Sequence, residues 1–124
     1  MTRAEFRVLL TGSRGWTDRD AIRTALLNIQ TSYGDKAFVL IHGGAHGADK
    51  LGKIEALRLG WTHEEYEPDW GDKGKRRWGG LERNGYMIKH CNLHAAVAFC
   101  LNQSPGTMHC IRLMKKEQQK KSYV

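Results

Sequence analysis

A continuous apolar run that ends in a glycine-rich segment constrains this fold more than any other feature. Residues 37–42 read AFVLIH and residues 43–49 read GGAHGAD. An apolar run without alternation predicts a strand that is buried on both faces, which is typical of a parallel sheet. Glycines allow a tight turn and a close approach of a ligand to the backbone. The segment therefore predicts a parallel strand followed by a turn at which something contacts the main chain.

The alternation of strand and helix patterns predicts the fold class. We predict strands at 6–11, 37–42, 61–68 and 94–102, and a fifth edge strand at 121–124. We predict helices from Thr17 or Asp18 to Gly34, from Gly47 to Gly60, at 81–91 and at 108–116. This order predicts one α/β domain over residues 1–124, with a doubly wound, mainly parallel sheet of four or five strands flanked by helices.

Length and composition narrow the class of protein. The chain has 124 residues and no apolar run near the roughly 20 residues that span a bilayer, so we expect no membrane contact and a cytoplasmic location. Its three cysteines are Cys91, Cys100 and Cys110, and their odd number and wide spacing predict free thiols. The segment HCNLH at 90–94 lacks a fourth zinc ligand at suitable spacing, so neither a metal nor a cofactor is expected.

The charge predicts an anionic partner. The net charge is +7, and basic residues concentrate at 73–78 and 115–121. A nucleotide or a nucleic acid would suit this balance, and so would a merely solvated basic surface. Trp70 and Trp78 flank the first basic run, so we interpret 69–80 as an exposed loop that covers a ligand or contacts a partner, or as a loop that the tryptophans anchor.

Three predicted turns share a composition rich in Gly, Ser, Thr or Asn. They are TGSRG at 11–15, HGGAHGAD at 42–49 and NQSPGT at 102–107. Each follows a predicted strand and leads towards a helix, whose N-terminal N–H groups attract anions. Neither the dinucleotide-binding nor the Walker glycine pattern is present. We therefore predict that the three turns converge in space around a phosphate-bearing ligand.

The motifs resemble those of a known superfamily. GSRGWTD at 12–18, HGGAHGAD at 42–49, ERNGYM at 82–87 and SPGTMH at 104–109 occur in the order seen in the YspA-related branch of the SLOG superfamily. That superfamily also contains the LOG phosphoribohydrolases and the DNA-processing protein DprA. The resemblance implies a Rossmann-like fold, a nucleotide or nucleotide-derived ligand, a role in nucleotide signalling or phage–host conflict, and a homodimer.

The resemblance also implies roles for individual residues. The ligand-binding set would be Gly12, Ser13, Arg14, His42, Gly43, Gly44, Ala45, Gly47, Asp49, Arg83, Asn84, Met87, Ser104, Gly106 and Thr107. The basic loop adds Trp70 to this set, as an aromatic side chain that could stack on a base. Asp49 would accept a hydrogen bond from a ribose hydroxyl, or be a first-turn acid that the helix dipole favours. Arg83 would assist catalysis, or be a solvated helix charge. Met87 would face the cleft, or lie in the core.

One departure from the LOG pattern bears on catalysis. LOG enzymes have a glutamate three residues after the threonine that corresponds to Thr107, and this chain has Cys110 there. Hydrolysis of a glycosyl bond needs a carboxylate to stabilise the transition state or to activate water. We therefore expect a binding or sensing protein, with a LOG-like N-glycosidic or phosphoribosyl hydrolase and a DprA-like nucleic-acid binder as the alternatives. His109 could replace the acid as a base, or be a partly exposed helix histidine.

Overall fold

The computed structural model describes residues 3–66, 84–101 and 105–121. The elements in chain order are β1 (Glu5–Gly12), α1 (Arg19–Tyr33), β2 (Ala37–His42), α2 (Ala48–Arg58), β3 (Thr62–Glu65), α3 (84–90), β4 (Ala95–Phe99) and α4 (Pro105–Lys121). This order confirms the predicted alternation. No helix among these residues is long and apolar enough to cross a membrane.

The four strands form one parallel sheet in the order β3-β2-β1-β4. Val8 of β1 pairs with Leu40 of β2 on one side and with Ala95 of β4 on the other. The chain first adds strands on one side of β1 and then crosses to the opposite side. In such sheets the ligand crevice lies beyond the carboxyl ends of the strands where the order reverses, here between β1 and β4.

Both faces of the central strands are buried, as the uninterrupted apolar runs predict. Val8, Leu10 and Leu40 lie in one cluster with residues of α1 and α2. Leu9 and Ile41 lie in a second cluster with residues of α3 and α4. Because neighbouring residues of a strand point to opposite faces, only a continuous apolar run can supply both clusters.

The boundaries of the first helix agree with prediction, whereas those of the last helix differ from it. Asp18 caps α1, where its carboxylate accepts a hydrogen bond from the N–H of Ala21 at 3.1 Å, and Gly34 ends the helix with a φ of 75°. The last helix begins at Pro105 rather than at 108, since proline suits the first helical position. It also continues to Lys121, so the predicted edge strand is wrong at its first residue, and the rest of that strand lies outside the described residues.

An ion pair joins the two strands that flank β2. The guanidinium of Arg7 in β1 donates two hydrogen bonds to the carboxylate of Glu64 in β3, at 2.9 and 2.7 Å. The Tyr66 hydroxyl donates to the same carboxylate at 2.6 Å. The bond from Arg7 is the main reason that the pKa of Glu64 lies below its ordinary value. The bond to Glu64 likewise raises the pKa of Tyr66, because a phenolate there would face a second anion.

Candidate ligand-binding site

Ser13, directly after β1, connects the ends of three elements. Its N–H donates to the carbonyl of Phe99 at 2.8 Å, and its hydroxyl accepts from the N–H of Leu101 at 2.7 Å. Its carbonyl accepts from the N–H of Ala48, the first residue of α2, at 3.2 Å. The turn after β1 is thereby fixed to the end of β4 and to the start of α2.

Glycines make this close approach possible. A Cβ at Gly47 would lie 2.2 Å from the carbonyl oxygen of Arg14, and the residue has a φ of +82°. A Cβ at Gly12 would lie 2.3 Å from the Cβ of Ala48. The turns at 11–15 and 42–49 are therefore in direct contact. Of the third predicted turn, residues 102–104 lie outside the described residues, but Leu101 just before it binds Ser13.

Asp49 stabilises the glycine-rich turn by accepting hydrogen bonds from its backbone. Its side chain is buried in the first turn of α2, and one carboxylate oxygen accepts from the N–H groups of Gly43 at 3.0 Å and of Ala45 at 3.3 Å. A negative charge at a helix N-terminus is also favoured by the helix dipole. The carboxylate predicted for a ribose hydroxyl is thus engaged with the backbone of its own turn.

His42 engages a third amide of this stretch, that of Gly44. Its ring is fully buried, and Nδ1 accepts from the N–H of Gly44 at 3.1 Å. The proton of the neutral ring is therefore on Nε2, which lies 3.1 Å from Nδ1 of His63. The side chain of His42 supports the turn from inside the sheet instead of reaching solvent.

Four other amides of the two turns are open. No acceptor within the described part of the chain takes a hydrogen bond from the backbone N–H of Arg14, Gly15, His46 or Gly47. The first three of these residues are exposed and Gly47 is half-buried. The exposed guanidinium of Arg14 adds a positive charge to the same edge of the sheet. This combination of open N–H groups and an arginine is suited to an anion.

The other predicted site residues divide into two groups. Asn84, Met87 and Thr107 are buried. Met87 lies in the core cluster with Leu9 and Ile41, so of its two predicted places, cleft or core, it occupies the core. Gly106 lies in the first turn of α4. Trp70, Arg83 and Ser104 lie outside the described residues, as does the predicted loop at 69–80.

The position of the LOG glutamate lies in the protein interior. Cys110 is fully buried in the second core cluster, where it also lines a small cavity with Thr11 and Met114. Nδ1 of the nearby His109 is buried without a hydrogen-bond partner in the described structure. Desolvation and the charge of Arg112 lower the pKa of His109, which keeps the ring neutral.

Sequence reasoning missed Glu65, the last residue of β3. Its parallel register places it beside His42, and its carboxylate carbon lies 2.7 Å from the point where a Cβ of Gly44 would be. The side chain is exposed and forms neither a hydrogen bond nor an ion pair with the described residues. The signal in the sequence is weak: a glutamate within the predicted strand at 61–68, whose carboxyl end lies at the same edge as the glycine-rich turn.

No group of three or more candidate metal ligands occurs among the described residues. In the segment 90–94, Cys91 is buried and His94 accepts from the backbone N–H of Arg7 at 3.0 Å, while His90 packs against Tyr86. These side chains therefore serve packing and strand contacts.

The fold and the site together define a doubly wound α/β protein with open N–H groups and an exposed arginine at the carboxyl ends of its strands. Residues 6–72 match the model of the YspA, cpYpsA-related SLOG family. The Gene 61 protein of Mycobacterium phage D29 is 37% identical over 121 residues, which cover 89% of each chain. The chain belongs to the YspA, cpYpsA-related SLOG family. No solved structure matches it.

Proposed function

We propose that this protein binds a nucleotide or a nucleotide-derived ligand without turning it over. The observation that carries this proposal is the contact between the turns at 11–15 and 42–49, which leaves four open N–H groups at one edge of the sheet. We assign the phosphate to the N–H groups of Arg14, Gly15, His46 and Gly47 and to the Arg14 side chain. Family membership supports a nucleotide-related ligand.

Under this proposal, the other residues of the glycine-rich turn have a structural role. Gly43, Gly44 and Ala45 donate their N–H groups to Asp49 and His42, and Gly43 is buried, so only Gly44 and Ala45 can offer a ligand part of their backbone surface. The buried Cys110 argues against LOG-type turnover, since the position that would need a carboxylate lies in the core. We therefore favour binding or sensing over hydrolysis.

Arg14→Ala tests the assignment of the phosphate. We expect the wild type to bind one or more of the ribonucleoside 5′-monophosphates or their dinucleotide derivatives in isothermal titration calorimetry, with inorganic phosphate as a competitor. Loss of a charged hydrogen bond of about 1.5–3 kcal/mol should weaken binding by about tenfold or more. Arg3→Ala removes another exposed arginine, just before the amino end of β1, and should leave affinity unchanged.

Two outcomes would contradict the proposal. Release of free base on incubation with nucleotides would favour the hydrolase alternative. The nucleic-acid alternative, which the net charge of +7 suggests, predicts a different result. The protein would then bind oligonucleotides tightly, and the logarithm of the affinity would fall steeply and linearly with the logarithm of the salt concentration. It would have no measurable affinity for mononucleotides.

A further inference from the structure

Glu65 offers a function that neither the motifs nor the family comparison assigns. It lies at the carboxyl end of β3, where the backbone N–H of Tyr66 donates to the carbonyl of His42 at 2.9 Å and continues the parallel pairing. This pairing fixes the backbone of Glu65 beside the glycine-rich turn. Its side chain lies against the Cα of Gly44, because a Cβ there would meet Oε2 at 2.8 Å and Cγ at 3.0 Å.

The two ends of the glycine-rich turn therefore lie beside residues of opposite charge. Gly47 lies against the backbone carbonyl of Arg14, an exposed residue with a positive side chain, whereas Gly44 lies against the Glu65 carboxylate. Gly44 and Gly47 are three residues apart, which limits their separation to about 11 Å. A single sugar phosphate can cover such a span. The charges would orient it, with the phosphate towards Arg14 and Gly47 and the sugar towards Gly44 and Glu65.

Two carboxylates of α2 cannot take this role. Asp49 is buried and bound to the N–H groups of Gly43 and Ala45. Glu55 is buried as well, and it accepts from Arg19 at 3.1 Å. An ionised carboxylate is purely an acceptor, so it binds hydroxyl groups and repels a further phosphate. An exposed carboxylate at this place is suited to a sugar that carries free hydroxyls.

We propose that Glu65 is a specificity-determining residue that accepts hydrogen bonds from the ribose hydroxyls of the ligand. This inference rests on the proposed function. It names the ligand class more closely: a ribonucleotide with an unmodified 2′-hydroxyl, in preference to the 2′-deoxy and 2′-phosphorylated forms.

The experiment compares AMP, GMP, CMP and UMP with their 2′-deoxy counterparts by calorimetry, for the wild type and for Glu65→Gln. We expect the wild type to prefer the ribonucleotide by about tenfold or more, since a hydrogen bond to a charged group is lost with the deoxy form. Glu65→Gln should reduce that preference to about threefold or less and leave deoxynucleotide affinity unchanged. The variant should also bind adenosine 2′,5′-bisphosphate more tightly than the wild type does.

Glu5→Gln is the matched control, because it removes the same charge from the opposite end of the sheet, and its ribo-to-deoxy ratio should equal that of the wild type. Equal binding of ribo and deoxy forms by the wild type would overturn the role of Glu65 and leave the proposed function standing, as would an unchanged preference in Glu65→Gln. Absence of binding of every nucleotide in the panel and of the dinucleotide derivatives would overturn the proposed function and the role of Glu65 with it.

Discussion

At the scale of single residues, glycine is required at 47 for two separable reasons. The residue has a φ of +82°, and its Cα lies against the carbonyls of Ser13 and Arg14. Gly34 has a similar φ of +75° but nothing within 4 Å of the point where its Cβ would be. The two positions therefore share the conformational demand and differ in the close approach.

We expect Gly47→Ala to lower the free energy of unfolding clearly more than Gly34→Ala does. The strain of a positive φ should cost each variant about 1–3 kcal/mol. At Gly47 the Cβ would also overlap the Arg14 carbonyl oxygen, so one of the two turns must move. Urea unfolding monitored by circular dichroism measures both values, and equal losses would mean that the turns are not in contact.

Asp49 is expected to stabilise the protein in the absence of any ligand. Asp49→Ala removes the acceptor of two amide hydrogen bonds, one of them buried, so the free energy of unfolding should fall by about 3 kcal/mol. Asp49→Asn keeps one acceptor oxygen and should lose about 1 kcal/mol. Full stability of the alanine variant, with loss only of ligand affinity, would instead support direct contact between Asp49 and a ribose.

At the scale of elements, the pair of Arg7 and Glu64 connects β1 to β3 across β2. The folded-state pKa of Glu64 lies below the ordinary value of 4.5. A depressed carboxylate pKa gives stability that is present above that ordinary value and is lost as the pH falls through the folded-state pKa. Because 38% of the Glu64 side chain is exposed, the contribution should be at most about 1 kcal/mol.

Glu64→Gln should therefore flatten the acid side of the stability profile. We expect the difference in urea midpoint between wild type and variant to be largest at pH 6–7 and to shrink below about pH 4.5. Glu5→Gln should change the profile less, because the Glu5 side chain is 58% exposed. A difference that stays constant down to pH 3 would show that the side chain acts through packing alone.

Sequence patterns predict the strands of the sheet better than they predict the boundaries of α4. Apolar runs on both faces of β1 and β2 predicted the parallel sheet, because burial on two faces leaves a local signature. Apolar spacing predicts a start of α4 at residue 108, which is too late. The better signal is Pro105, because proline is typical of the first helical position. Its end at Lys121 has no apolar periodicity to reveal it.

Site residues were harder to predict, because their roles depend on which partner each one meets. The glycines at 43–47 were found by composition, but the same pattern suits both an open phosphate cradle and a turn bound to its own aspartate. Met87 has a spacing that fits either the core or the cleft. Glu65 belongs to a short strand with no motif, so only the register beside His42 reveals it.

At the scale of the whole molecule, the two core clusters on opposite faces of the sheet share the same strands. We therefore expect both to unfold in one cooperative transition, and the thiols of the three cysteines report on it. Cys91 and Cys110 are buried and Cys100 is half-buried. Ellman's reagent should label Cys100 in the native protein, and the other two thiols at the rate of global unfolding. Faster labelling of Cys110 would indicate that α4 detaches by itself.

Hydrogen bonds fix Ser13 to Phe99, Leu101 and Ala48, so the turn after β1 needs little rearrangement to bind a ligand. A recognition surface that is already assembled loses little conformational entropy when a small molecule arrives. Complex formation should accordingly proceed in a single step whose observed rate rises linearly with nucleotide concentration, without the plateau that a slow closing movement would impose.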